Sequence, residues 1–444
     1  MNKPPMLDVA KEVLANNDHE GRYTIPAEGL YPHQWLWDSC FIAIGQRHYD
    51  AGRAQQEILS LLRGQWSNGM LPNMVLDDGV LYRQDREMWR SQISPYSPDN
   101  VATSGITQPP MLAEAIVQIG RSLTAPERRS WYGRVYQALL SYHQWLYTER
   151  DPHGEGLLLQ VHPWETGLDN NPAWISELRS HQMPLWIRII GKLKLDNLVT
   201  FLRRDVHFVP PGQRLTTLDA LAFYSVQRRL RRKQYDTQRI LNHSLFAIED
   251  LAFNCIFIRA NHHLKQIAKS IGEELPQALT DNMRRSEKAL EQLWDAYTGQ
   301  YYSRNFTTHK LIKTSTIGTL LPLYAGCISD ERAKQLVALL HTKKLYGPKY
   351  PVPSVAVNSE WFDQHRYWQG PVWLNTNWLI VQGLLNYGFK EEAESIMQSS
   401  LKLVEKSGFY EYFSPLDGSP AGVKNFSWTA ALIIDFLSNT SNVP

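Results

Sequence analysis

Apolar residues recur at helical spacing along most of this 444-residue chain, and that pattern constrains its fold more than any other feature of the sequence. Near the N-terminus, for example, Met6, Val9 and Val13 occupy positions i, i+3 and i+7 of one helix face. The pattern predicts about a dozen helices along the chain. They lie approximately at residues 6–16, 41–47, 53–64, 110–120, 128–149, 173–190, 217–229, 250–271, 274–297, 331–340, 372–383, 391–405 and 426–437. Sustained two-residue alternation is rare, and only segments 156–161 and 300–304 are predicted as hairpin arms.

The arrangement of these helices favours one all-α domain. No Gly/Ser-rich or Pro-rich linker divides the chain, and no segment repeats at a fixed period, which argues against an obvious solenoid. Six outer and six inner helices packed as a closed toroid would hold a cleft at the mouth, formed by the connecting loops. On periodicity alone, a superhelical or two-bundle arrangement stays open.

The charge balance excludes several classes of partner. The chain has 46 basic and 44 acidic side chains, which favours neither a nucleic-acid nor an anionic membrane partner. One basic run, at residues 228–233, is interpreted as the solvated end of a helix, where cations are favourable. No stretch approaches the roughly 20 apolar residues of a membrane span, and residues 1–17 do not have the pattern of a signal peptide.

The cysteines and histidines predict neither a disulfide framework nor a metal site. Cys40, Cys255 and Cys327 are odd in number, widely separated and without CxxC spacing, which is typical of a reducing compartment. His262 and His263 are adjacent and cannot face one way on a helix. Dinucleotide, phosphate-loop and zinc-protease motifs are missing, so we expect no cofactor and no metal. We expect a soluble cytoplasmic protein, and self-association into a homo-oligomer stays open.

A loop at residues 164–170, Trp-Glu-Thr-Gly-Leu-Asp-Asn, combines two carboxylates with an indole. An indole face packs on the apolar face of a sugar ring, while carboxylate and amide groups bond its hydroxyls, so this composition suits carbohydrate binding. We predict Asp169 to be a general acid, because burial near indole or another carboxylate keeps a carboxyl protonated near neutral pH. Glu165 is predicted to orient the loop. The alternative is that Asp169 caps the helix near Ala173.

Three other loops are rich in aromatic and acidic residues, in a chain with 15 Trp and 21 Tyr. In the loop at residues 31–39, the alternative to sugar binding is that Asp38 and Ser39 cap the helix that follows. In the loop at 367–373, the alternative is a structural aromatic cluster, with Pro371 starting a helix. In the loop at 409–413, Glu411 lies among aromatic residues and is costly to leave unpaired. A catalytic base, a buried ion pair or an outward strand position would each explain it.

Taken in order, these motifs resemble glycoside hydrolase family 63, especially its bacterial mannosylglycerate and glucosylglycerate hydrolases. The matching segments are Gln-Trp-Leu-Trp-Asp-Ser at 34–39, Thr-Gln-Pro-Pro at 107–110, residues 162–170, residues 367–373 and Tyr-Glu-Tyr at 410–412. The resemblance implies a single (α/α)6-barrel domain over residues 1–444, with short hairpins in its loops. It also implies inverting hydrolysis of a small α-glucoside or α-mannoside, or a short oligosaccharide, without metal or cofactor.

The resemblance assigns roles to matched positions. Asp169 would be the general acid and Glu411 the general base. The residues implied to contact the sugar substrate are Tyr31, Trp35, Trp37, Asp38, Gln108, Trp164, Gly167, Arg214, Tyr367, Trp368, Gly370 and Trp373. The guanidinium group of Arg214 is suited to bidentate hydrogen bonding with a substrate carboxylate such as that of glycerate. The segment at 213–220 departs from the family, since a small or aliphatic residue stands where an aromatic one is expected after Arg214.

Three competing interpretations of the sequence assign the chain to other functional classes of protein. A non-catalytic carbohydrate-binding protein could use the same cleft, although carboxylates at both 169 and 411 argue against it. A sugar epimerase would need paired histidines at the cleft, and a terpenoid cyclase would need a DxDD or DDxxD cluster, which the chain lacks. Glucose or mannose specificity, the linkage and the aglycone are left open.

Overall fold

Helices make up most of the described chain, in agreement with the apolar periodicity. The computed structural model describes residues 5–181, 184–195, 200, 203–242, 244 and 246–440. The chain forms two compact units, each assembled from separate stretches of sequence. Residues 1–158, 253–292 and 425–444 form the first unit, and residues 159–252 and 293–424 form the second unit. The expectation of a single domain stays a prediction.

The first unit is built around the helix Leu36–Gln46, every residue of which is buried. Its other α-helices are Met6–Asn16, Ala51–Leu62, Arg83–Trp89, Leu112–Arg121, Ala125–Arg150, Gln277–Ala289 and Ser427–Thr440. The helix Leu251–Ile271 also belongs to this unit, except for its first two residues. The buried helix packs against Ser427–Thr440 so closely that a Cβ at Gly45 would lie 2.4 Å from the carbonyl oxygen of Ala431. Glycine at position 45 therefore allows the two helices to meet.

The second unit contains three of the four loops that were predicted to carry chemistry, at 164–170, 367–373 and 409–413. Its α-helices are Pro172–His181, Leu185–Lys192, Thr217–Arg232, Thr237–Leu241, Pro322–Ala325, Asp330–Leu340, Leu374–Asn386 and Lys390–Ser407. Leu374–Asn386 packs against Lys390–Ser407 and Pro322–Ala325. Thr217–Arg232 packs against Pro172–His181 and Leu185–Lys192. It ends in the basic run, as the charge pattern predicted.

Within the described residues, the strands pair only as short antiparallel ribbons. In the first unit Asp18–His19 pairs with Tyr23–Thr24, and Gln34–Trp35 pairs with Met74–Val75. In the second unit Ile248–Glu249 pairs with Arg304–Asn305, Trp294–Asp295 with Gln300–Tyr301, and Tyr410–Phe413 with Pro420–Lys424. The last of these, called here the 410–424 hairpin, has a register shift between Ala421 and Lys424. That irregularity lies beside Glu411, a predicted site residue.

Several predicted boundaries are wrong for identifiable reasons. The predicted helix at 173–190 is two helices, and Pro184 directly precedes the second; residues 182–183 of that prediction lie outside the described part of the chain. The predicted helix at 274–297 ends as an α-helix at Ala289, ahead of the ribbon that starts at Trp294. The arm at 300–304 is confirmed in part by Gln300–Tyr301, whereas segment 156–161 contributes only a bridge between Gln160 and Ile248.

The remaining expectations concern cysteines and membrane spans. Cys40 and Cys255 are buried, Cys327 is partly exposed, and all three are free thiols. Within the described residues, no helix combines the length and apolar character needed to cross a bilayer.

Candidate active site

The loop that carries Asp169 is held by buried polar groups. Glu165 is fully buried and accepts a hydrogen bond of 2.7 Å from the backbone N–H of Val161, so it orients the loop as predicted. His162 accepts from the N–H of Trp164 through Nδ1 (3.1 Å) and donates from Nε2 to the carbonyl of Phe223 (3.1 Å). Burial lowers the pKa of His162 to about 3, so its imidazole is neutral and both ring nitrogens are used.

The helix after this loop is capped by Asn171 rather than by Asp169. The Asn171 Oδ1 atom accepts from the N–H of Ala173 at 3.0 Å, and the helix begins at Pro172. The capping alternative for Asp169 is therefore wrong. Gly167, just before it, has a φ of 73° in the left-handed region, which suits glycine at this turn.

Asp169 has the electrostatic property expected of an acid that works near neutral pH. The surrounding protein removes water from its carboxyl group and raises its pKa to about 7, and the charge of Glu411 also raises it. The Arg214 guanidinium and a hydrogen bond from Tyr367 oppose that rise. The residue as a whole is only partly buried.

Glu411 lies on the Tyr410–Phe413 strand and is almost completely buried, with 1% of its surface exposed. Arg214 donates from Nη1 to both of its carboxylate oxygens, at 3.2 Å and 3.4 Å. The backbone N–H of Val423 donates to Oε2 at 3.1 Å. The structure therefore brings Asp169, Glu411 and Arg214 together in the second unit, and of the three explanations for Glu411 it excludes the outward-facing position.

Arg214 occupies a position between several charged and aromatic groups. Its guanidinium carbon lies 4.1 Å from the centre of the Tyr367 ring, which is a cation–π contact. Its Nε lies 3.7 Å from Oδ2 of Asp205, which Arg203 also contacts at 2.5 Å. These contacts orient Arg214 toward Glu411.

An aromatic cluster lines the same part of the second unit. The indole rings of Trp368 and Trp373 are stacked, with centres 3.8 Å apart and planes 6° from parallel. Tyr412 packs on Trp373 at 4.5 Å, and Trp373 Nε1 donates to the carbonyl of Tyr367 at 3.0 Å. Both indoles are only 1% exposed, so in this structure they pack against protein, as the structural alternative for this loop proposed. Tyr367 has a φ of 37°, an uncommon conformation for an aromatic residue.

The acid loop is joined to this cluster through Asn170. Its Oδ1 accepts from the N–H of Trp368 at 2.9 Å, and its carbonyl accepts from Nε2 of Gln369 at 2.8 Å. A Cβ on Gly370, the next residue, would lie 2.3 Å from the carbonyl oxygen of Asp363. Close packing of the backbone therefore accounts for this glycine.

The helix predicted to start at Pro371 begins instead at Leu374. Val372 is extended and pairs with Phe413, with hydrogen bonds of 2.8 Å and 3.0 Å in the two directions. The pairing with the strand that carries Glu411 outweighs the local helix-start signal.

Trp164 lies at the start of the acid loop, where it is partly exposed and packs on His162 and Phe223. The ring centres of Trp164 and His162 are 4.8 Å apart.

The other predicted sugar-binding residues lie in the first unit. Trp37 packs edge-on against Trp428 at 5.5 Å, and Tyr31 packs edge-on against Trp35 at 6.0 Å. Gln108 accepts the N–H of Trp37 at 3.4 Å and so caps the buried helix.

The capping alternative for Asp38 and Ser39 is wrong. The N-cap position of the buried helix is Trp35, so Asp38 lies in the first helical turn and Ser39 lies inside the helix. The Ser39 hydroxyl donates to the buried carboxylate of Glu57 at 2.6 Å.

Three residues near Glu411 were not predicted as site residues from the sequence. These are Gln213, Gly422 and Val423. Val423 acts through its backbone, which no side-chain pattern reveals. The Ala-Gly-Val-Lys stretch after a turn was the available signal for an irregular strand, because glycine inside a strand often marks a bulge.

Proteins of known activity resemble this chain over most of its length. The family model described as the mannosylglycerate hydrolase MGH1-like glycoside hydrolase domain matches residues 31–429. A mannosylglycerate hydrolase of Thermus thermophilus is 38% identical over 430 residues, which cover 96% of this chain and 99% of that protein. A glucosylglycerate hydrolase of Mycolicibacterium hassiacum is 31% identical over 457 residues, covering 98% of each chain.

A solved structure supports the same relationship. The family 63 mannosylglycerate hydrolase from Thermus thermophilus, in complex with Tris and D-glycerate, superposes with a TM-score of 0.88. It is 37% identical, and the match covers 98% of this chain and all of that one. The resemblance to glycoside hydrolase family 63 is confirmed, and the chain belongs to the mannosylglycerate hydrolase MGH1-like family of glycoside hydrolases.

Proposed function

We propose that this glycoside hydrolase cleaves a small α-mannoside or α-glucoside with inversion, using Asp169 as acid and Glu411 as base. The main support is the pKa of Asp169, raised to about 7 in electrostatic contact with the buried Glu411. Two carboxyl groups in unlike environments suit opposite tasks, since one must hold a proton while the other accepts one.

In the proposed reaction Asp169 protonates the leaving glycosidic oxygen. Glu411 takes a proton from a water that attacks the anomeric carbon on the opposite face of the sugar. This requires a separation of roughly 6.5–9.5 Å between the two carboxyl groups, whereas a retaining pair would lie about 5 Å apart. We therefore expect the first sugar product to have the β configuration.

Arg214 supports an aglycone that carries a carboxylate. It is the guanidinium beside Glu411, and an arginine fork matches a carboxylate with two parallel hydrogen bonds. The mannosylglycerate and glucosylglycerate hydrolases among its relatives favour glycerate as that aglycone, and a short oligosaccharide is the alternative.

The proposal extends to the fold, the location and the sugar contacts. The similarity to the solved family 63 enzyme supports a single (α/α)6-barrel domain for the whole chain. The three free cysteines support a cytoplasmic location. Sugar contacts are proposed for Tyr31, Trp35, Trp37, Asp38, Gln108, Trp164, Gly167, Tyr367, Trp368, Gly370 and Trp373.

A substrate panel with three variants tests the proposal. Mannosylglycerate, glucosylglycerate and neutral α-mannosides and α-glucosides are incubated with the protein, and free sugar is measured. Asp169→Asn and Glu411→Gln are each expected to lower kcat by roughly 100- to 10,000-fold, as is usual when a general acid or base is lost. Asp417→Asn is the matched control, because Asp417 is exposed at the turn of the 410–424 hairpin.

Two results would contradict the proposal. Near-wild-type turnover by either site variant would remove that residue from the mechanism. Proton NMR of the first product showing the α-anomer would replace inversion by retention.

A further inference from the structure

We propose that Gln213 is a positioning residue for the catalytic base. It holds the backbone N–H of Gly422 and thereby orients the next N–H, that of Val423, which bonds Glu411. This inference rests on the proposed function of Glu411. The Gln213 side chain touches neither the Glu411 carboxylate nor Asp169 in the contacts described; its amide oxygen instead accepts the backbone N–H of Gly422 at 3.0 Å.

The 410–424 hairpin is irregular at the point where Gly422 passes Glu411. Its register shifts between Ala421 and Lys424, and Gly422 has a φ of 73°. A Cβ added at Gly422 would lie 2.4 Å from Oε2 of Glu411. The carboxylate therefore occupies the space that any side chain at position 422 would need.

Two successive backbone N–H groups at this irregularity have different partners. The N–H of Gly422 donates to Gln213 Oε1 at 3.0 Å, and the N–H of Val423 donates to Glu411 Oε2 at 3.1 Å. Because the two groups belong to neighbouring peptides, holding the first limits the rotation of the second. Gln213 thereby fixes the direction from which Val423 meets the carboxylate.

The residue at 213 is also attached to the hairpin through its backbone. Its carbonyl accepts the hydroxyl of Tyr412 at 2.5 Å, and the next residue, Arg214, bonds Glu411. A substitution of the Gln213 side chain leaves both of those contacts possible. It therefore isolates the bond to Gly422.

Orientation of a base affects the rate more than it affects binding. Glu411 must point one oxygen along the path of the attacking water, and a displacement of about 1 Å can reduce a rate by up to 100-fold. Loss of Gln213 Oε1 should consequently lower kcat and leave KM nearly unchanged, because the sugar is held by other groups.

The test compares Gln213→Met, which keeps the length of the side chain and removes the acceptor, with Gln364→Met. Gln364 makes an equivalent bond at the other end of the hairpin, where its Oε1 accepts the Ser414 hydroxyl at 2.7 Å. The substrate is mannosylglycerate or glucosylglycerate, whichever the wild-type protein cleaves faster. Gln213→Met should lose about tenfold in kcat with KM within about twofold, whereas Gln364→Met keeps the wild-type kcat.

Rescue and a second variant complete the design. Gln213→Glu retains an acceptor oxygen at the same reach and should restore kcat to within about threefold of wild type. If the methionine variant fails to fold, Gln213→Asn, which shortens the side chain by one methylene, replaces it with the same expectation. Melting temperatures of the Gln213 and Gln364 variants should agree closely.

The inference is overturned if the Gln213 variant keeps the wild-type kcat, or if its loss appears in KM alone. It is also overturned if glutamate at 213 fails to rescue. Glu411→Gln in the same assay separates this failure from that of the proposed function, because an active Glu411→Gln enzyme would contradict the assignment of the base itself.

Discussion

The pKa of Asp169 is raised mainly by burial and is then adjusted by residues from other parts of the sequence. Its loop composition was enough to identify it as a carboxyl group in a carbohydrate-binding context. The pKa of about 7 depends on burial, on Glu411 and on the opposing Arg214 and Tyr367, which all come from other segments. The sequence alone could therefore predict Asp169 as a candidate acid, whereas the balance of charges around it required the structure.

The pH dependence of the reaction should follow Asp169. Because an acid must be protonated to donate, kcat/KM should fall as the pH rises through about 7. The Tyr367 hydrogen bond favours the ionised carboxylate, so Tyr367→Phe should raise the pKa and move the alkaline limb to higher pH. Initial rates between about pH 5 and 9, a range that brackets the raised pKa, measure this shift. An alkaline limb at the same pH in both proteins would contradict the role of Tyr367.

The helices and the 410–424 hairpin differ in how far sequence could predict them. Periodicity placed the helix Lys390–Ser407 within two residues at each end, because its buried face repeats every three to four positions. It misplaced the start of Leu374–Asn386, because Val372 pairs with Phe413 about 40 residues away. The hairpin irregularity was not predictable either, since two-residue alternation over Ala421–Lys424 is broken by a glycine that lies close against the Glu411 side chain.

That irregularity predicts a contrast between two glycines. Gly422 and Gly408 both have a positive φ, of 73° and 87°, so alanine at either should cost on the order of 1 kcal/mol in stability. A Cβ at Gly408 has no neighbour within 4 Å, whereas one at Gly422 would collide with Glu411. Gly422→Ala should therefore lose roughly 100-fold in kcat, and Gly408→Ala should keep it. Steady-state kinetics and thermal melts check this, and equal kcat values would contradict it.

The whole chain distributes its predicted sugar-binding residues over both compact units. Trp37, Asp38 and Gln108 belong to the first unit, and Asp169, Arg214 and Glu411 to the second. The order of the motifs was visible in the sequence and matched the family. The sequence did not show that each unit is assembled from separate stretches, because apolar periodicity reports local structure only. Ser427–Thr440 packs against Leu36–Gln46 from the opposite end of the chain.

Global stability should record the cost of ionising Asp169 in the folded protein. Its pKa is higher in the folded protein than in the unfolded chain, so the folded state binds more protons between about pH 4 and 7. Stability contributed by this group is therefore lost as the pH rises over that interval. Asp169→Asn removes the loss and should raise the free energy of unfolding at pH 8 by roughly 1–2 kcal/mol, allowing for partial exposure. Denaturant unfolding at pH 4.5 and 8 measures it, and equal effects of the substitution at both pH values would contradict it.

The N–H of Val423 that meets Glu411 belongs to the main chain, and this determines how mutation can reach the site. Every amino acid except proline supplies that donor, so codon changes at position 423 leave it present. Gly422 is the position that is sensitive to mutation, because even a methyl group there would collide with the Glu411 carboxylate. A saturation library over residues 421–424 should accordingly tolerate many replacements at 423 and almost none at 422.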